Sequence, residues 1–258
     1  MDAAVASDAT GRYIVRGPRT GQPIILLHGV GATRTMWTLQ LDALSDAHRV
    51  IALDLPAHGL LAETPFSLRD AAERIAGAVA AEADGRALVV GLSLGGYVAM
   101  AFGAAYPQMA AGLVLAGCTL NPSGPLRYPY RAGSFAIRRA NERWLRRISA
   151  MRGWTIRHIL GNEIGGRLIA GGHYPQAVPA VVRELVRHDF RAMLRSYPGP
   201  ALFINGGRDY LFRSSELSFL AAAQRPGLVV VPRVGHISLL RQPEFTQAIR
   251  GFAAHVMQ

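Results

Sequence analysis

The sequence contains one cysteine, Cys118, and no lysine. A single cysteine excludes an internal disulfide bond and any metal site that needs several cysteines, and its apolar neighbours predict a small buried side chain. All 28 basic residues are therefore arginines, against 17 acidic residues, and the net charge is +11. Because an arginine-only set also reflects the composition of a genome, this charge alone does not indicate a nucleic acid partner, and we expect none.

Charge is also absent from one long stretch, since no charged residue occurs between Ala87 and Leu126. Gly91, Gly95 and Pro107 divide this stretch into pieces that are too short to span a membrane. The pieces predict a strand, a helix and a second strand of a parallel sheet that is covered on both faces. The first ten residues lack the basic residues and apolar run of a signal peptide, so we expect a cytoplasmic protein without a membrane span.

Apolar strands alternate with helical stretches along most of the chain. Strands are predicted at 12–16, 23–27, 49–55, 87–91, 111–117, from 201 onward and at 228–231. Helices are predicted at 34–44, 67–83, 97–105, 214–223 and 243–255. This alternation predicts an α/β fold, in which a mostly parallel sheet is flanked by helices and the crossovers are right-handed. Half of the 258 residues are apolar, which is enough for one large core and an insertion.

The strand pattern stops after residue 120 and resumes at residue 199. Between them, two arginine-rich stretches, Gly133–Arg152 and Val178–Tyr197, have the periodicity of helices with one apolar and one basic face. We therefore predict a core formed by residues 1–120 and 199–258, into which residues 121–198 are inserted as a helical cap.

The predicted cap holds 14 arginines and only four acidic residues, so it carries nearly all of the net charge. These arginines either form ordinary solvated helix faces or bind an anionic partner, such as an acidic acyl carrier or coenzyme A. The cap also contains aromatic residues that are candidates for lining an apolar substrate pocket. They are Trp144, Trp154, Phe135 and Tyr130.

One stretch joins a predicted strand directly to a predicted helix through Ser93, which is flanked by Gly91 and Gly95. This spacing is typical of a nucleophile elbow, a sharp turn that leaves no room for side chains two residues on either side of the serine. The helix that follows presents free N–H groups and its positive end to any negative charge that develops there. Such a string also occurs by chance, so the elbow needs partner residues elsewhere in the chain.

Asp209 and His236 are the candidate partners of Ser93. Each of the three residues comes just after a predicted strand, and ligands in open α/β sheets bind at the carboxyl ends of the strands. The alternative position for an acid, at residues 118–121, contains no carboxylate.

Four motifs occur in one order along the chain. They are His28-Gly29 with Trp37 beyond it, Asp54 to Gly59, the elbow at Ser93, and Asp209 with Gly235-His236. With these motifs the sequence resembles the α/β-hydrolase fold superfamily, in particular capped esterases, lactonases and acyl-carrier-protein methyl ester esterases. The resemblance covers residues 12–120 and 199–258. It has one departure, because Ala57 replaces a glycine and a serine is missing near Leu61, so we expect altered geometry in that loop.

The resemblance implies a role for each site residue. Ser93 would be the nucleophile, His236 the general base, and Asp209 the acid that orients the imidazole. The backbone N–H groups of Val30 and Leu94 would form the oxyanion hole. His28 is expected to brace its loop and His58 to cap a turn.

The resemblance implies no cofactor, and the sequence contains no pattern of metal ligands. We expect a serine hydrolase that acts on a small-molecule carboxylic ester, a lactone or an acyl thioester. Two alternatives remain open: non-hydrolytic or carbon–carbon bond chemistry on the same fold, as in a cyclase, a C–C hydrolase or a perhydrolase, and a ligand-binding pseudoenzyme.

Overall fold

A computed structural model describes residues 6–7, 13–124 and 127–257, without the side chains of residues 6, 7, 127, 129 and 130. Its strands are β1 (Ala6–Ser7), β2 (Tyr13–Arg16), β3 (Gln22–Leu27), β4 (His48–Leu53), β5 (Ala87–Leu92), β6 (Ala110–Ala116), β7 (Pro200–Gly206) and β8 (Arg225–Val231). They form one sheet in the order β1-β2-β4-β3-β5-β6-β7-β8. Strands β3 to β8 are mutually parallel, while β2 is antiparallel to β4 and β1 to β2. The predicted mostly parallel sheet is confirmed.

Helices cover both faces of this sheet. They are α1 (Thr38–Leu44), α2 (Leu68–Glu82), α3 (Leu94–Ala105), α4 (Arg127–Arg139), α5 (Glu142–Leu160), α6 (Asn162–Leu168), α7 (Val178–Leu185), α8 (Phe190–Ser196), α9 (Glu216–Leu220) and α10 (Pro243–Val256). Ile25 and Leu27 of β3 pack in one apolar cluster with α2 and α3, while Ile24 and Leu26 pack in a second cluster with α1 and α10. Because both faces are buried, β5 and β6 are apolar at every position instead of alternating.

The two amphipathic stretches of the predicted cap are each divided into two helices. Asn141 accepts a hydrogen bond from the Trp144 N–H and so begins α5. Asp189 likewise accepts hydrogen bonds from the N–H groups of Arg191 and Ala192 and begins α8. Side-chain oxygens that bind the free N–H groups of a first turn favour a new helix at that point. The apolar periodicity of these stretches did not locate either break.

Burial differs strongly among the helices between β6 and β7. Phe190 and Leu194 of α8 are fully buried in the cluster that contains α3. Met151 on α5, by contrast, is 67% exposed, although the helical periodicity placed it on the buried face. In the described ranges, no helix is both long enough and apolar enough to cross a membrane.

Candidate active site

Ser93 lies in the sharp turn between β5 and α3, with φ 55° and ψ −115°. A positive φ is strained for a residue with a side chain, and such strain is found at functional turns. A Cβ atom on Gly91 would clash with the carbonyl of Gly95, and one on Gly95 would clash with the carbonyl of Leu27. The turn therefore requires glycine at both flanking positions, as the elbow spacing predicts.

Asp209 and His236 contact each other directly. The Nδ1 atom of His236 lies 2.6 Å from Oδ2 of Asp209, which fits an N–H that donates to a carboxylate. Asp209 is held in its turn after β7 by its own N–H, which donates to the carbonyl of Gly206 at 3.0 Å. With Nδ1 protonated, Nε2 of His236 is left as the basic nitrogen.

Phe212 connects this pair to the serine, and the sequence reasoning did not identify it. Its ring stacks on the imidazole of His236, with the ring centroids 4.1 Å apart. Phe212 and Ser93 also line the same cavity of about 380 Å³. Within the described part of the chain Ser93 Oγ has no hydrogen-bond partner, and catalytic hydrogen bonds are often formed only when substrate binds.

This space, here called the nucleophile cavity, is apolar apart from the hydroxyls at its wall. Its remaining lining residues are Val30, Leu94, Tyr97, Leu120, Pro122, Gly133, Ser134, Ile137, Val178, Val181, Val182, Leu185 and Val186. Residues from α4 and α7 thus cover a space whose floor is the elbow. Such a cavity suits an apolar acyl chain.

Val30 and Leu94 both line this cavity, and the backbone N–H of neither residue has a hydrogen-bond partner among the described residues. The N–H of Leu94 is free because Leu94 is the first residue of α3. Two such N–H groups are what an oxyanion hole needs.

Two histidines link the loop after β3 to the loop after β4. Nε2 of His28 accepts a hydrogen bond from the Leu55 N–H, and Nε2 of His58 accepts one from the Gly31 N–H, both at 2.9 Å. Each Nδ1 in turn bonds a backbone carbonyl, that of Gly29 for His28 and that of Pro56 for His58. Because each Nε2 acts as an acceptor, both rings are neutral. The two bonds tie the loop that carries Val30 to its neighbour.

Burial explains why these rings stay neutral. Desolvation lowers the pKa of His28 to about 4 and that of His58 to about 3. Each neutral ring therefore bonds its own loop, which agrees with the bracing expected for His28, and each also reaches across to the neighbouring loop. Ala57, where the resemblance has a glycine, has a left-handed backbone with φ 67°. The altered geometry expected for this loop stays a prediction.

The aromatic residues that were candidates for substrate contact do not line the nucleophile cavity where their side chains are described. Trp144 is 57% exposed, and Trp154 is 65% exposed and stacks on His158. Phe135 lies beneath the guanidinium groups of Arg138 and Arg139. The side chain of Tyr130 is outside the described part of the structure. The cap residues that line the cavity are mostly aliphatic instead, such as Ile137, Val181 and Leu185.

A second depression, of about 430 Å³, adjoins the nucleophile cavity and shares Ser134, Val182 and Val186 with it. Four guanidinium groups line it, and we call it the arginine groove. They belong to Arg131, Arg138, Arg183 and Arg187. None of the four forms an ion pair with an acidic residue of the described chain.

Residues 24–248 match the model of the α/β hydrolase family. The chain is 30% identical to a pimeloyl-[acyl-carrier protein] methyl ester esterase of Methylococcus capsulatus, over 88% of this chain and 92% of that protein. It is 27% identical to the dihydrolipoyllysine-residue acetyltransferase component of an acetoin cleaving system of Pseudomonas putida, over 90% of this chain but only 63% of that protein.

A solved structure with the same fold is a thermophilic esterase from Thermogutta terrifontis with malate bound. It is 26% identical and superposes with a TM-score of 0.77 over 98% of both chains. The chain belongs to the α/β-hydrolase family and is an α/β-hydrolase enzyme.

Proposed function

We propose that this enzyme is a serine hydrolase that cleaves a carboxylic ester, a lactone or an acyl thioester through an acyl-enzyme on Ser93. The observation that carries the proposal is the direct hydrogen bond between His236 and Asp209, next to Phe212, which stacks on His236 and lines the same cavity as the strained Ser93. A serine hydroxyl is a weak nucleophile until a neighbouring base removes its proton. His236 is the base that the geometry offers.

The reaction takes place in two halves. Nε2 of His236 removes the proton from Ser93 Oγ as this oxygen attacks the substrate carbonyl, and Asp209 stabilises the imidazolium that forms. The carbonyl oxygen becomes an oxyanion, which the N–H groups of Val30 and Leu94 stabilise. His236 then returns the proton to the leaving alkoxide or thiolate. A water molecule, activated by His236, attacks the acyl-enzyme and releases the acid.

The substrate is proposed to have an apolar acyl chain and an anionic carrier. The aliphatic lining of the nucleophile cavity supports the acyl chain. The arginine groove beside it supports a phosphate or carboxylate group on the carrier, since arginine pairs with both. The name of the Methylococcus capsulatus relative, an esterase of an acyl-carrier-protein substrate, agrees with such a carrier.

Labelling with a fluorophosphonate probe tests the nucleophile. The wild-type protein should be labelled on Ser93, whereas Ser93→Ala should remain unlabelled and lose about 10⁶-fold in kcat, as other hydrolases do without their serine. The thermal midpoint should stay equal or rise slightly, because alanine removes a functional group and little packing. Ser218→Ala is a matched control, because its hydroxyl only bonds the Ser215 carbonyl. Substantial turnover by the Ser93→Ala protein contradicts the proposal.

A further inference from the structure

Arg152 on α5 lines a third, smaller cavity, which also borders Gly31 and Ala32 of the loop that follows β3 and carries Val30, here called the oxyanion loop. Its Nη1 donates a hydrogen bond to the carbonyl of Val30 at 3.0 Å. This cavity, here called the Arg152 cavity, measures about 100 Å³. Gly31 follows Val30 and Ile237 follows His236, and both residues lie in its wall. The wall of the Arg152 cavity therefore contains the chain neighbours of Val30, a proposed oxyanion donor, and of His236, the proposed base. Consecutive Cα atoms are about 3.8 Å apart.

The charge of Arg152 has no counterion in the described part of the chain. No carboxylate lies within ion-pair distance of it, and burial lowers its pKa. The ionisable groups around it are His28, His58 and His173, whose pKa values its charge helps to lower. These three rings are neutral and offer no negative charge. A desolvated guanidinium group without a counterion is unfavourable, and a ligand that brings a negative charge offsets this cost.

Arg152 also has donors to spare. A guanidinium group carries five N–H donors, and described residues accept only one of them, through the carbonyl of Val30. Beside it, Nδ1 of His173 lies 3.1 Å from the hydroxyl of Ser149, and both residues line the same cavity. The remaining wall is apolar. Its side chains include Met36, Ile156, Leu168, Ile169 and Leu240.

We propose that the Arg152 cavity binds a carboxylate group that a short apolar chain connects to the reacting carbonyl. This inference rests on the proposed hydrolase function for the position of that carbonyl, between Val30 and Leu94. Arginine binds a carboxylate through two parallel hydrogen bonds, and the apolar wall accommodates the connecting carbons. The substrate is then a monoester of a short dicarboxylic acid. The same chemistry also admits a free carboxylate that binds beside the active centre.

Two substrates of equal length test the proposal. Monomethyl succinate carries the carboxylate, and methyl butanoate replaces it by a methyl group. The measured quantity is the ratio of their kcat/KM values, in which any effect of Arg152 on the oxyanion loop cancels. We expect Arg152→Met to lower this ratio by about 10- to 100-fold, the range for a hydrogen bond between charged groups. Arg152→Lys, which keeps the charge but loses the paired donors, should give an intermediate ratio.

The matched control is Arg147→Met, on the exposed side of the same helix, which should leave the ratio unchanged. Equal losses for both esters in Arg152→Met would assign Arg152 to positioning of the oxyanion loop and overturn the proposal. Equal kcat/KM values of the wild-type enzyme for monomethyl succinate and methyl butanoate would overturn the proposal that the carboxylate belongs to the substrate.

Calorimetry separates this site from the hydrolase function. Ser93→Ala protein should bind succinate, and the double variant Ser93→Ala/Arg152→Met should bind it at least tenfold more weakly. This measurement needs no turnover, so it stays valid if fluorophosphonate labelling of Ser93 fails. If the protein binds succinate but its kcat/KM does not favour monomethyl succinate over methyl butanoate, the ligand of the cavity is a free carboxylate. Equal binding of succinate by both proteins would overturn the carboxylate site.

Discussion

The core and the predicted cap contain the same number of arginines, 14 each, but balance them very differently. The core has 13 acidic residues, and several of its arginines are in ion pairs, such as Arg49 with Glu82 and Arg213 with Glu216. The cap has four acidic residues, and it leaves large apolar side chains such as Trp144 and Trp154 exposed. Four cap arginines are also in ion pairs, but with ten more arginines than acidic residues the cap leaves most of its positive charge unbalanced, whereas the core is nearly neutral.

The chemistry follows the same division. The predicted core carries Ser93, His236 and Asp209, the proposed nucleophile, base and acid, all beyond the carboxyl ends of strands of one sheet. The predicted cap supplies the aliphatic roof of the nucleophile cavity, all of the arginine groove and Arg152. Changes in the core should therefore alter kcat and stability, and changes in the cap should alter which substrate is bound.

After Ser93→Ala, the largest loss of kcat is expected for Asp209→Asn. The amide no longer holds the proton on Nδ1 of His236, so kcat should fall by about 10⁴-fold while the fold is kept. Steady-state kinetics and the thermal midpoint measure the two quantities. In the cap, Asp189→Asn is the matched control, because asparagine caps a helix as well as aspartate does and both measurements should stay near wild type. An Asp209→Asn enzyme with near wild-type kcat would assign the orienting role to another carboxylate.

The next effect concerns the pH dependence of the free energy of unfolding, to which the buried histidines of the core contribute. The pKa values of His28 and His58 are lowered in the folded protein, so between pH 6.5 and about 4 the unfolded chain binds more protons. The free energy of unfolding should therefore be highest above pH 6.5. It should fall by about 1.4 kcal/mol per pH unit for each histidine as the pH drops.

Urea unfolding at pH 8, 6.5 and 5 measures this dependence. His58→Gln should reduce the slope by one histidine's share, and replacement of the exposed His255 by glutamine should not change it. An unchanged slope in His58→Gln would show that His58 takes up a proton in the folded state.

A smaller effect is expected for the arginine groove. Arg183→Glu/Arg187→Glu should raise KM for butanoyl coenzyme A by about tenfold and change KM for a neutral ester much less. The control pair Arg143→Glu/Arg147→Glu changes the net charge equally, on exposed positions of α5 outside the groove. The difference between the pairs should disappear near 1 M salt, where the Debye length is about 3 Å. Equal changes of KM in both pairs of variants would indicate that the cap arginines are ordinary solvated side chains.

The smallest effect is expected at Ala57, in the loop tied down by His58. The left-handed backbone destabilises a residue with a Cβ atom by about 1–2 kcal/mol, and glycine removes this strain. Glycine also raises the entropy of the unfolded chain, which offsets part of the gain. Ala57→Gly should therefore raise the free energy of unfolding by about 0.5–1 kcal/mol, measured by urea unfolding. Asp84→Gly is a comparison at another positive φ, 46°. A destabilised Ala57→Gly protein would indicate that packing of its methyl group outweighs the strain.

The sequence by itself determined the alternation of strands and helices, the parallel sheet and the position of each triad candidate beyond a strand. These features are local: a buried strand needs an apolar run, and the turn at Ser93 needs glycines two residues away on either side. The resemblance implied Val30 and Leu94 as oxyanion donors, which stays a prediction, and both residues line the nucleophile cavity.

Only the tertiary structure decided which side chains surround the site. Phe212 reaches His236, and Arg152 reaches Val30 across 122 positions of the chain. No periodicity carries such contacts, because they depend on how helices lie against one another. The same reason applies to Phe135 and Trp144, which lie on either side of the break at Asn141, where a capping side chain begins a new helix within a continuous amphipathic pattern.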